Sequence, residues 1–264
     1  MGVNTAGEQG NRAAEVAYEA MASAYDDFTA EHDYEAWLGA LLPKLELEGL
    51  RGERLLDVAC GTGKSFIPML ERDWQVTACD ISAAMVELAR GKVGDAAELS
   101  VADMRALPEL GEFDLILCLD DAVNYLLDAD ELEQALTGMR RNLGPAGLLM
   151  FDVNTLLAYR TFFAEEVEVE RNGRRLIWKG RAATDTEPGA TVESSFEVEG
   201  APGPPAVHRQ RHFPEAEMLA TLERAGLECL QLFGHGSSLE VRLEQPLDES
   251  RHTKAVYICR AQAA

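Results

Sequence analysis

Basic residues are scarce in this chain of 264 amino acids. Its 24 lysines and arginines face 46 aspartates and glutamates, which gives a formal net charge of −22. Such a protein repels phosphate backbones at long range, because nucleic-acid binding depends largely on cations that displace counterions. The same repulsion opposes docking on an anionic membrane surface. We therefore expect neither nucleic acid nor a membrane as a partner.

Long apolar runs are also missing, and none approaches the roughly 20 residues that a membrane-spanning helix needs. The N-terminal stretch MGVNTAGEQGNRAAE has no cationic start followed by an apolar segment, so it does not resemble a secretion signal. Five cysteines, an odd number, are typical of reduced thiols in the absence of such a signal. We therefore expect a cytoplasmic protein.

Metal-ligating patterns are absent from the sequence. None of the five cysteines forms a C-x-x-C pair, and no three histidines have the spacing of metal ligands. Most of the cysteines end short apolar runs, as small core side chains of strands do. We therefore expect no metal site.

The chain does have the composition of a globular protein, with 47% hydrophobic residues. Between residues 53 and 153, short apolar runs alternate with segments of helical periodicity, which predicts an α/β fold with a parallel sheet covered on both faces. The predicted strands are 54–58, 75–79, 99–102, 113–119 and 147–153. The predicted helices are 64–72, 82–92 and 130–143.

Segments before and after this region complete a single predicted domain, 1–264. Asn172-Gly173 between two strand-like runs is a strong hairpin signal and predicts an antiparallel insertion. The predicted parts are a helical cover, a cofactor-binding core, a β-insertion lid and a return to the core: 1–50, 51–164, 165–213 and 214–264. Further predicted elements are helices 13–25, 34–45 and 214–225 and strands 227–233 and 253–260.

The most informative stretch is LLDVACGTGKSF, Leu55–Phe66, where a buried strand runs into a Gly-x-Gly turn that opens a helix. Glycines let the backbone approach a ligand closely, and the helix N-terminus offers free N–H groups. A P-loop is disfavoured because Val58 stands where that motif has a glycine. A dinucleotide-binding turn is disfavoured because Phe66 stands at its third glycine.

A third interpretation uses two acids that flank the turn. Asp57 precedes it, and Asp80 ends the next strand, 17 residues past Gly63. A carboxylate at that place can accept both hydroxyls of a ribose. With DVACGTG and VTACDIS in this order, residues 53–153 resemble the class I S-adenosylmethionine-dependent methyltransferase family, which implies a Rossmann-like core with a seven-stranded, mostly parallel sheet.

The resemblance implies S-adenosyl-L-methionine as the cofactor, and it implies contacts for each part of that molecule. Gly61 and Gly63 line the methionine part and Asp57 contacts its amino group, although Ala59 replaces the first glycine of many members. Asp80 binds the ribose. The residues implied beside the adenine and the sulfonium are Ile81, Asp103, Met104 and Leu119.

Three further strings narrow the resemblance. D-x-x-N-Y-L from Asp121, FDVNT after the fifth strand and QRHFPEAEM before a late helix are similar to a small-molecule branch of that family. The branch includes amino-sugar N-methyltransferases and glycine/sarcosine-type N-methyltransferases. Its β-insertion covers the active site, and a tyrosine and a tryptophan of its N-terminal segment approach the cofactor. The resemblance therefore implies Tyr25 and Trp37 as further cofactor contacts.

The acceptor is expected beyond the carboxyl ends of the strands, where ligands of open α/β sheets bind. The catalytic candidates follow the fourth strand: Asp121, Asn124 and Tyr125. The candidates for binding the acceptor follow the fifth strand or lie on the insertion: Asn154, Tyr159, Arg160, His208 and Arg211. His208 and Arg211 lie on opposite faces of one predicted strand, and periodicity leaves open which face lines the pocket.

Methyl transfer from a sulfonium is an in-line displacement with a neutral leaving group, so alignment supplies much of the acceleration and at most one base is needed. We predict transfer to nitrogen of a small-molecule acceptor. Transfer to oxygen and a non-catalytic cofactor-binding protein are the alternatives. The charge of the acceptor stays open: the insertion, with nine acids and seven bases in residues 165–212, favours an anion such as a nucleotide-linked sugar, whereas the acidic residues 1–50 favour a cation.

Overall fold

The computed structural model describes residues 6–236 and 240–263; residues 1–5, 237–239 and 264 of the predicted cover and last segment lie outside the described residues. In chain order, the helices are α1 (Ala6–Phe28), α2 (Tyr34–Leu47), α3 (Ile67–Leu70), α4 (Ala83–Val93), α5 (Ala129–Arg141), α6 (Leu156–Arg160) and α7 (Glu215–Arg224). The strands are β1 (Arg54–Val58), β2 (Gln75–Asp80), β3 (Ala97–Val101), β4 (Phe113–Cys118), β5 (Leu143–Asn154), β6 (Glu166–Arg171), β7 (Arg174–Gly180), β8 (Thr191–Val198), β9 (Ala206–Arg211), β10 (Leu227–His235) and β11 (Lys254–Ala261).

Seven strands form the main sheet, in the order β10-β11-β5-β4-β1-β2-β3. The five strands from β5 to β3 run parallel, and β11 runs antiparallel to both of its neighbours. The chain steps from β1 to β2 on one side, and β4 returns to the other side of β1. Ligands of open α/β sheets bind at such a switch point, outside the carboxyl ends of the strands. The predicted Rossmann-like fold class is confirmed.

Apolar side chains fill the space on both faces of this sheet. On one face Leu38, Leu41 and Leu45 of α2 are fully buried against strand residues of the sheet. On the other face α5 and α7 bury Leu136 and Leu222. Burying each such side chain contributes roughly 1.5–3 kcal/mol, so the two helical layers hold the strand ends in fixed positions.

A second, four-stranded antiparallel sheet, β6-β7-β8-β9, is the predicted insertion, and we refer to it as the lid sheet. Its first hairpin turns at Asn172-Gly173, where both residues have positive φ, 51° and 71°. On β9 the side chains of His208 and Gln210 are buried, whereas Arg209 is exposed. The histidine face of the insertion therefore points inward.

Ion pairs use most of the lid sheet's basic side chains. Arg175 pairs with Glu168 and Glu199, Lys179 lies 3.3 Å from Glu197, and Arg209 lies 2.7 Å from Glu193. Arg171, Arg174 and Arg211 pair with Glu31, Asp27 and Glu217. These pairs leave little cationic charge for an anionic acceptor.

Most predicted elements are present with shifted ends, but the helix predicted at 64–72 is wrong. Only Ile67–Leu70 is helical there, because the chain stays in the turn after β1 up to Phe66. Pro68 lies in the first turn of this short helix, where its missing N–H costs no hydrogen bond. Among the described residues, no helix combines the length and apolarity needed to cross a membrane.

Candidate cofactor and acceptor site

The glycine turn after β1 is shaped by left-handed backbone conformations. Ala59, Gly61 and Gly63 have φ of 61°, 53° and 88°. The N–H of Gly61 donates to Asp80 Oδ2 at 2.8 Å, and the N–H of Gly63 donates to the carbonyl of Cys60 at 2.9 Å. Asp80 at the end of β2 thereby fixes the turn at the end of β1.

Replacing Gly63 by alanine is expected to lower the free energy of unfolding by about 1–3 kcal/mol, because a side chain there is strained by the positive φ. Its Cβ would also lie 2.8 Å from Cζ of Phe66. The matched control is Gly91→Ala, since Gly91 lies in α4 and an added Cβ there would meet no atom within 4 Å. That change should stabilise the protein by roughly 0.5–1 kcal/mol. Chemical denaturation measures both, and equal effects would contradict the assignment of strain to Gly63.

A cavity, which we name the cofactor cavity, opens above this turn. It is lined by residues from the ends of four parallel strands and from the first two helices. The predicted cofactor contacts among its walls are Tyr25, Ala59, Gly61, Asp80, Ile81, Asp103, Met104 and Leu119. The structure thus brings together eight of the residues that the resemblance implies, in one space at the switch point of the sheet.

Asp80 is buried at the wall of the cofactor cavity. Burial raises the pKa of its carboxyl, while N–H donors from Ser82 and Gly61 oppose the rise. Ser82 N donates to Oδ1 at 2.9 Å, so each carboxylate oxygen accepts one backbone hydrogen bond. A carboxylate oxygen accepts more than one hydrogen bond, which leaves capacity for two ribose hydroxyls.

Asp57 lies beneath the turn and has one unsatisfied oxygen. Its Oδ2 accepts a hydrogen bond from Ser65 Oγ at 2.5 Å, whereas Oδ1 is buried without a partner among the described residues. Burial raises the pKa of Asp57 to about 7, against the Ser65 hydrogen bond. Ser65 itself lines the cofactor cavity. An orphaned carboxylate under this wall fits a cofactor that carries an ammonium group at this end.

Asp103 and Arg105 form a rigid corner at the other end of the cofactor cavity. Arg105 donates to Asp103 from its backbone N–H at 3.0 Å and from its guanidinium, and it also pairs with Glu131. Asp103 and Met104 begin the short 3₁₀ turn that follows β3. An acid and an apolar side chain held at this place fit an adenine, whose edge is polar and whose face is apolar.

Helix α1 is fastened to the segments that wall the cofactor cavity. Thr62 Oγ1 of the glycine turn donates to Asp26 Oδ1 at 2.5 Å. Glu19 Oε1 accepts hydrogen bonds from Ser82 Oγ and Ala84 N, both at 2.9 Å. Since these contacts join α1 to the ends of β1 and β2, the helix covers the cofactor cavity as predicted for the N-terminal segment.

Three carboxylates and one lysine meet beyond the ends of β4 and β5, and we name them the carboxylate cluster: Asp120, Asp121, Asp152 and Lys254. Lys254 Nζ lies 2.5 Å from Asp121 Oδ1, 2.9 Å from Asp152 Oδ2 and 3.8 Å from Asp120 Oδ1. The backbone N–H groups of Asp120 and Asp121 donate to the two oxygens of Asp152 at 2.6 and 3.1 Å. Both aspartates have positive φ, 61° and 54°, so the cluster holds a strained turn.

The charges of the cluster shift one another's ionisation. Burial and the neighbouring Asp120 and Asp152 raise the pKa of Asp121 to about 6, although Lys254 opposes the rise. Burial alone would lower the pKa of Lys254, but the charges of Asp121 and Asp152 raise it. The exposed ring of His32, 3.3 Å from Asp120, has a raised pKa: burial lowers it, but the hydrogen bond to Asp120 outweighs that effect.

A second cavity of about 330 Å³, the lid cavity, lies between α1, the carboxylate cluster and the inner face of the lid sheet. It shares part of its wall with the cofactor cavity. The shared residues are Tyr18, Tyr25, Asp120 and Tyr125. A methyl group that leaves the first cavity at this wall would enter the second.

His208 is buried in the wall of the lid cavity, with one ring nitrogen unsatisfied. Its Nδ1 lies 2.9 Å from the hydroxyl of Tyr125, and its Nε2 is buried with no partner among the described residues. Burial lowers the pKa of His208 to about 4, so the ring is neutral near pH 7. A neutral imidazole with one free nitrogen can donate to or accept from a ligand in this cavity.

Four predicted acceptor-site residues line the lid cavity: Asp121, Tyr125, Asn154 and His208. The other predicted residues do not line this cavity, and their side chains bind other groups of the protein. Asn124 is fully buried; its amide donates to the carbonyl of Arg211 and accepts from the N–H of Asn154. Tyr159 donates to Gln210 at 3.2 Å, and Arg160 donates to the carbonyl of Thr186 at 2.9 Å. Arg211 pairs with Glu217 at 2.9 Å.

Trp37 is placed apart from the cofactor cavity. Its ring packs edge-on against His235, with 5.0 Å between centroids, and both line a third cavity beside Lys254. The structure therefore does not place Trp37 as a cofactor contact, because α2 turns the indole towards the end of β10. Gly63 and Asp57 also lie behind the wall of the cofactor cavity rather than on it.

Several residues that line the two cavities were not predicted from the sequence. Tyr18 of α1 lines both cavities, and Gln210 donates to Asp121 Oδ2 at 2.5 Å from the inner face of β9. Trp178 of β7 and Lys254 at the start of β11 complete the lid cavity. Gln210 could have been found from its alternation with His208, which places the two side chains on the same face of one strand. The other wall residues belong to no motif.

No group of three or more histidine, cysteine, aspartate or glutamate side chains within residues 6–236 and 240–263 is arranged to hold a metal ion. The site is instead an aromatic, partly acidic space joined to a cavity that suits an adenosyl group.

Comparisons with known proteins place this site in context. Residues 55–147 match a family model described as a methyltransferase domain. Over 218 residues the chain is 29% identical to YqeM of Bacillus subtilis (strain 168), which carries a methyltransferase name; the match covers 80% of this chain and 86% of that protein. The matched family segment contains the glycine turn, Asp80 and the Asp120–Asp121 turn.

Two further likenesses concern a sugar-modifying enzyme and a solved structure. The dTDP-4-amino-2,3,4,6-tetradeoxy-D-glucose N,N-dimethyltransferase of Saccharopolyspora spinosa is 31% identical over 121 residues, 46% of this chain and 48% of that protein. The crystal structure of an S-adenosylmethionine-dependent methyltransferase from Clostridium acetobutylicum ATCC 824 superposes with a TM-score of 0.76 at 21% identity, covering 93% of this chain and 99% of that one. The second likeness supports the fold, including the lid sheet.

Proposed function

We propose that this chain, a class I S-adenosylmethionine-dependent methyltransferase, transfers the methyl group to a nitrogen atom of a small-molecule acceptor. When bound, S-adenosylmethionine supplies a methyl group on a positively charged sulfur, and its displacement leaves a neutral thioether. The residues proposed to hold it are Asp80 at the ribose and Asp103 at the adenine, with the glycine turn beside the methionine part and the carboxylate of Asp57 beneath that turn.

The carboxylate cluster is the observation that carries the choice of nitrogen. Asp120 lines both cavities, Asp121 lines the lid cavity, and Asp152 contacts the same lysine as these two carboxylates. A surplus of negative charge attracts an amine in its ammonium form, and it repels a carboxylate or a phosphate. The N,N-dimethyltransferase name of the Saccharopolyspora spinosa relative supports the same choice.

An amine must present a lone pair before it can be methylated, so an ammonium acceptor has to lose one proton. Asp121 is suited to take it, because its pKa of about 6 lies close to neutral pH. The nitrogen then bonds to the methyl carbon while the carbon–sulfur bond breaks and its electron pair stays on sulfur. A proton on Asp121 leaves through the lid cavity, which the carboxylate lines.

Oxygen is the second candidate atom, and His208 is the observation that favours it. A neutral imidazole with an unsatisfied nitrogen could accept the proton of a hydroxyl group in the lid cavity. The cytoplasmic location and the lack of a nucleic-acid partner stay predictions from the charge of the sequence.

Methyl transfer to amines, but not to the corresponding alcohols, is the expected result of a screen with matched probes. The protein and S-adenosylmethionine are incubated with benzylamine and benzyl alcohol, glycine and glycolate, and glucosamine and glucose, and mass spectrometry detects the gain of one methyl group. An Asp80→Ala variant serves as the inactive control. Methylation of the alcohols alone would contradict the proposal in favour of oxygen. Cofactor binding without any methylated product would count against catalysis.

A further inference from the structure

The lid cavity has aromatic walls and little cationic charge. Trp178 stacks between Phe28 and Phe162 at centroid distances of 5.9 and 5.6 Å, and Tyr18 and Tyr25 close the side towards the cofactor cavity. Such rings bind the flat or apolar body of a ligand, and their faces also attract a cation. The cavity, with about 330 Å³ of space, lies within the size range of small-molecule sites and has room for a ring.

The charge within this cavity is uneven. Lys254 is the one lysine or arginine among the described residues that line it, and it already lies 2.5 Å from Asp121 and 2.9 Å from Asp152. His32 provides a partial positive charge beside Asp120. One lysine does not balance the charge of three carboxylates, so the carboxylate cluster has an excess of negative charge. Arg175, Arg209 and Arg211 of the insertion are paired with glutamates, and none of the insertion's arginines is among the described residues that line the cavity.

Among the described residues that line the lid cavity, the only lysine is already paired, and His32 is the only other side chain with positive charge, so a phosphate-bearing acceptor is disfavoured. Binding a diphosphate requires cations or free N–H groups, since an unpaired buried anion is costly. Lys254 is engaged by carboxylates, and His208 is neutral. The anionic acceptor that the composition of the insertion favoured is therefore opposed by the position of its charges.

The unsatisfied nitrogen of His208 marks a second contact. A buried polar atom without a partner costs about 1–3 kcal/mol, so a ligand that satisfies it gains affinity. His208 and Gln210 lie two residues apart on the inner face of β9, about 7 Å along the strand. Because Gln210 Nε2 donates to Asp121 at 2.5 Å, Asp121 and His208 face the cavity across roughly the width of one ring.

From these observations, and resting on the proposed function, we infer the chemical class of the acceptor. It is a phosphate-free amine carried on a ring-sized body, with the ammonium on Asp121 and a second hydrogen-bonding group on His208 Nε2. This acceptor differs from the dTDP-linked sugar in the name of the Saccharopolyspora spinosa relative. The reactive amine then lies in the lid cavity, beside the neighbouring Asp120 that lines both cavities.

Isothermal titration of the protein saturated with S-adenosylhomocysteine tests this inference. The probes are 3-hydroxybenzylamine, 3-hydroxybenzyl alcohol, benzylamine and thymidine diphosphate. The first should bind about tenfold or more tightly than the alcohol, which lacks the charge, and also more tightly than benzylamine, which lacks the second group. Thymidine diphosphate should not bind. Equal affinities for amine and alcohol, or binding of thymidine diphosphate that competes with the amine, would overturn the inference.

Two variants assign the contacts to residues. Asp121→Asn should remove the preference for amine over alcohol, and His208→Phe, which deletes the ring nitrogens, should remove the preference for 3-hydroxybenzylamine over benzylamine. Glu193→Gln is the matched control, because Glu193 pairs with Arg209 on the outer face of the lid sheet. Thermal unfolding verifies that each variant is folded. If a variant is not folded, the comparison of the four probes on the wild-type protein still tests the inference.

Binding and turnover separate the two proposals. The titration needs no methyl transfer, so an amine that binds as described but is never methylated contradicts only the proposed function. Conversely, methylation of glycine or glucosamine, together with equal affinities for 3-hydroxybenzylamine and its alcohol, contradicts only the acceptor class.

Discussion

Replacing Asp80 by alanine should weaken the binding of S-adenosylmethionine by about 100-fold or more. The carboxylate is proposed to accept two ribose hydroxyls, and a hydrogen bond to a charged group contributes about 1.5–3 kcal/mol. The same substitution removes the acceptor of the Gly61 and Ser82 N–H groups, so the glycine turn loses its anchor as well. Isothermal titration calorimetry measures the affinity.

The control for this variant is Asp95→Ala, because Asp95 is an exposed acid between α4 and β3. It should bind the cofactor as the unmodified protein does. Circular dichroism establishes that the Asp80 variant is folded. An affinity within a factor of a few of the wild type, or binding of NAD or ATP in place of S-adenosylmethionine, would refute the assignment of this cavity.

Replacing Lys254 by methionine should lower the free energy of unfolding at pH 8 by about 3–5 kcal/mol, since removing one partner of a buried ion pair leaves uncompensated charge. Three carboxylates would then repel one another around the strained Asp120–Asp121 turn. Urea denaturation measures the loss. Lys179→Met is the matched control, since Lys179 forms half-exposed pairs with Glu166 and Glu197; such pairs contribute about 0–1 kcal/mol.

The effect of Lys254→Met should depend on pH. The pKa of Lys254 is raised on folding, so its contribution to stability persists at every pH below its ordinary value and is lost only above it. The pKa of Asp121 is also raised, to about 6, and the loss of Lys254 raises it further. Below this pH the carboxyl is neutral and the repulsion falls. The destabilisation at pH 5 should therefore be smaller than at pH 8, and a larger loss at pH 5 would contradict the role of the cluster.

The cofactor side of the site was readable from the sequence because its residues follow strand ends at fixed spacing. Asp57 and Asp80 lie on two neighbouring parallel strands and Gly61 lies in the turn that follows the first, so one motif specifies their proximity as well as their type. The fold followed from the same alternation. Backbone geometry decides both the fold and the cofactor side of the site, and short stretches of sequence encode that geometry.

The acceptor side was less readable because its contacts join distant parts of the chain. Lys254 meets Asp121 across 133 residues through the pairing of β11 with β5, and no local pattern marks that lysine. Tyr18 lies on a helix whose docking, rather than its sequence, directs the ring into both cavities. Trp37 was misplaced for the same reason. The rotation of α2 about its axis decides which side of the helix meets the site.

Helix α1 contributes Tyr18 and Tyr25 to the walls of both cavities, and Asp26 and Glu19 fasten it in place. The methyl donor and the methyl acceptor therefore do not bind to independent surfaces. The ligand that binds first contributes the free energy needed to hold α1 in place, so the second ligand does not have to contribute it again. The order of binding can change the rates, but the total binding free energy of the two ligands is the same in either order. Thermodynamic linkage requires that each ligand change the affinity of the other by the same factor.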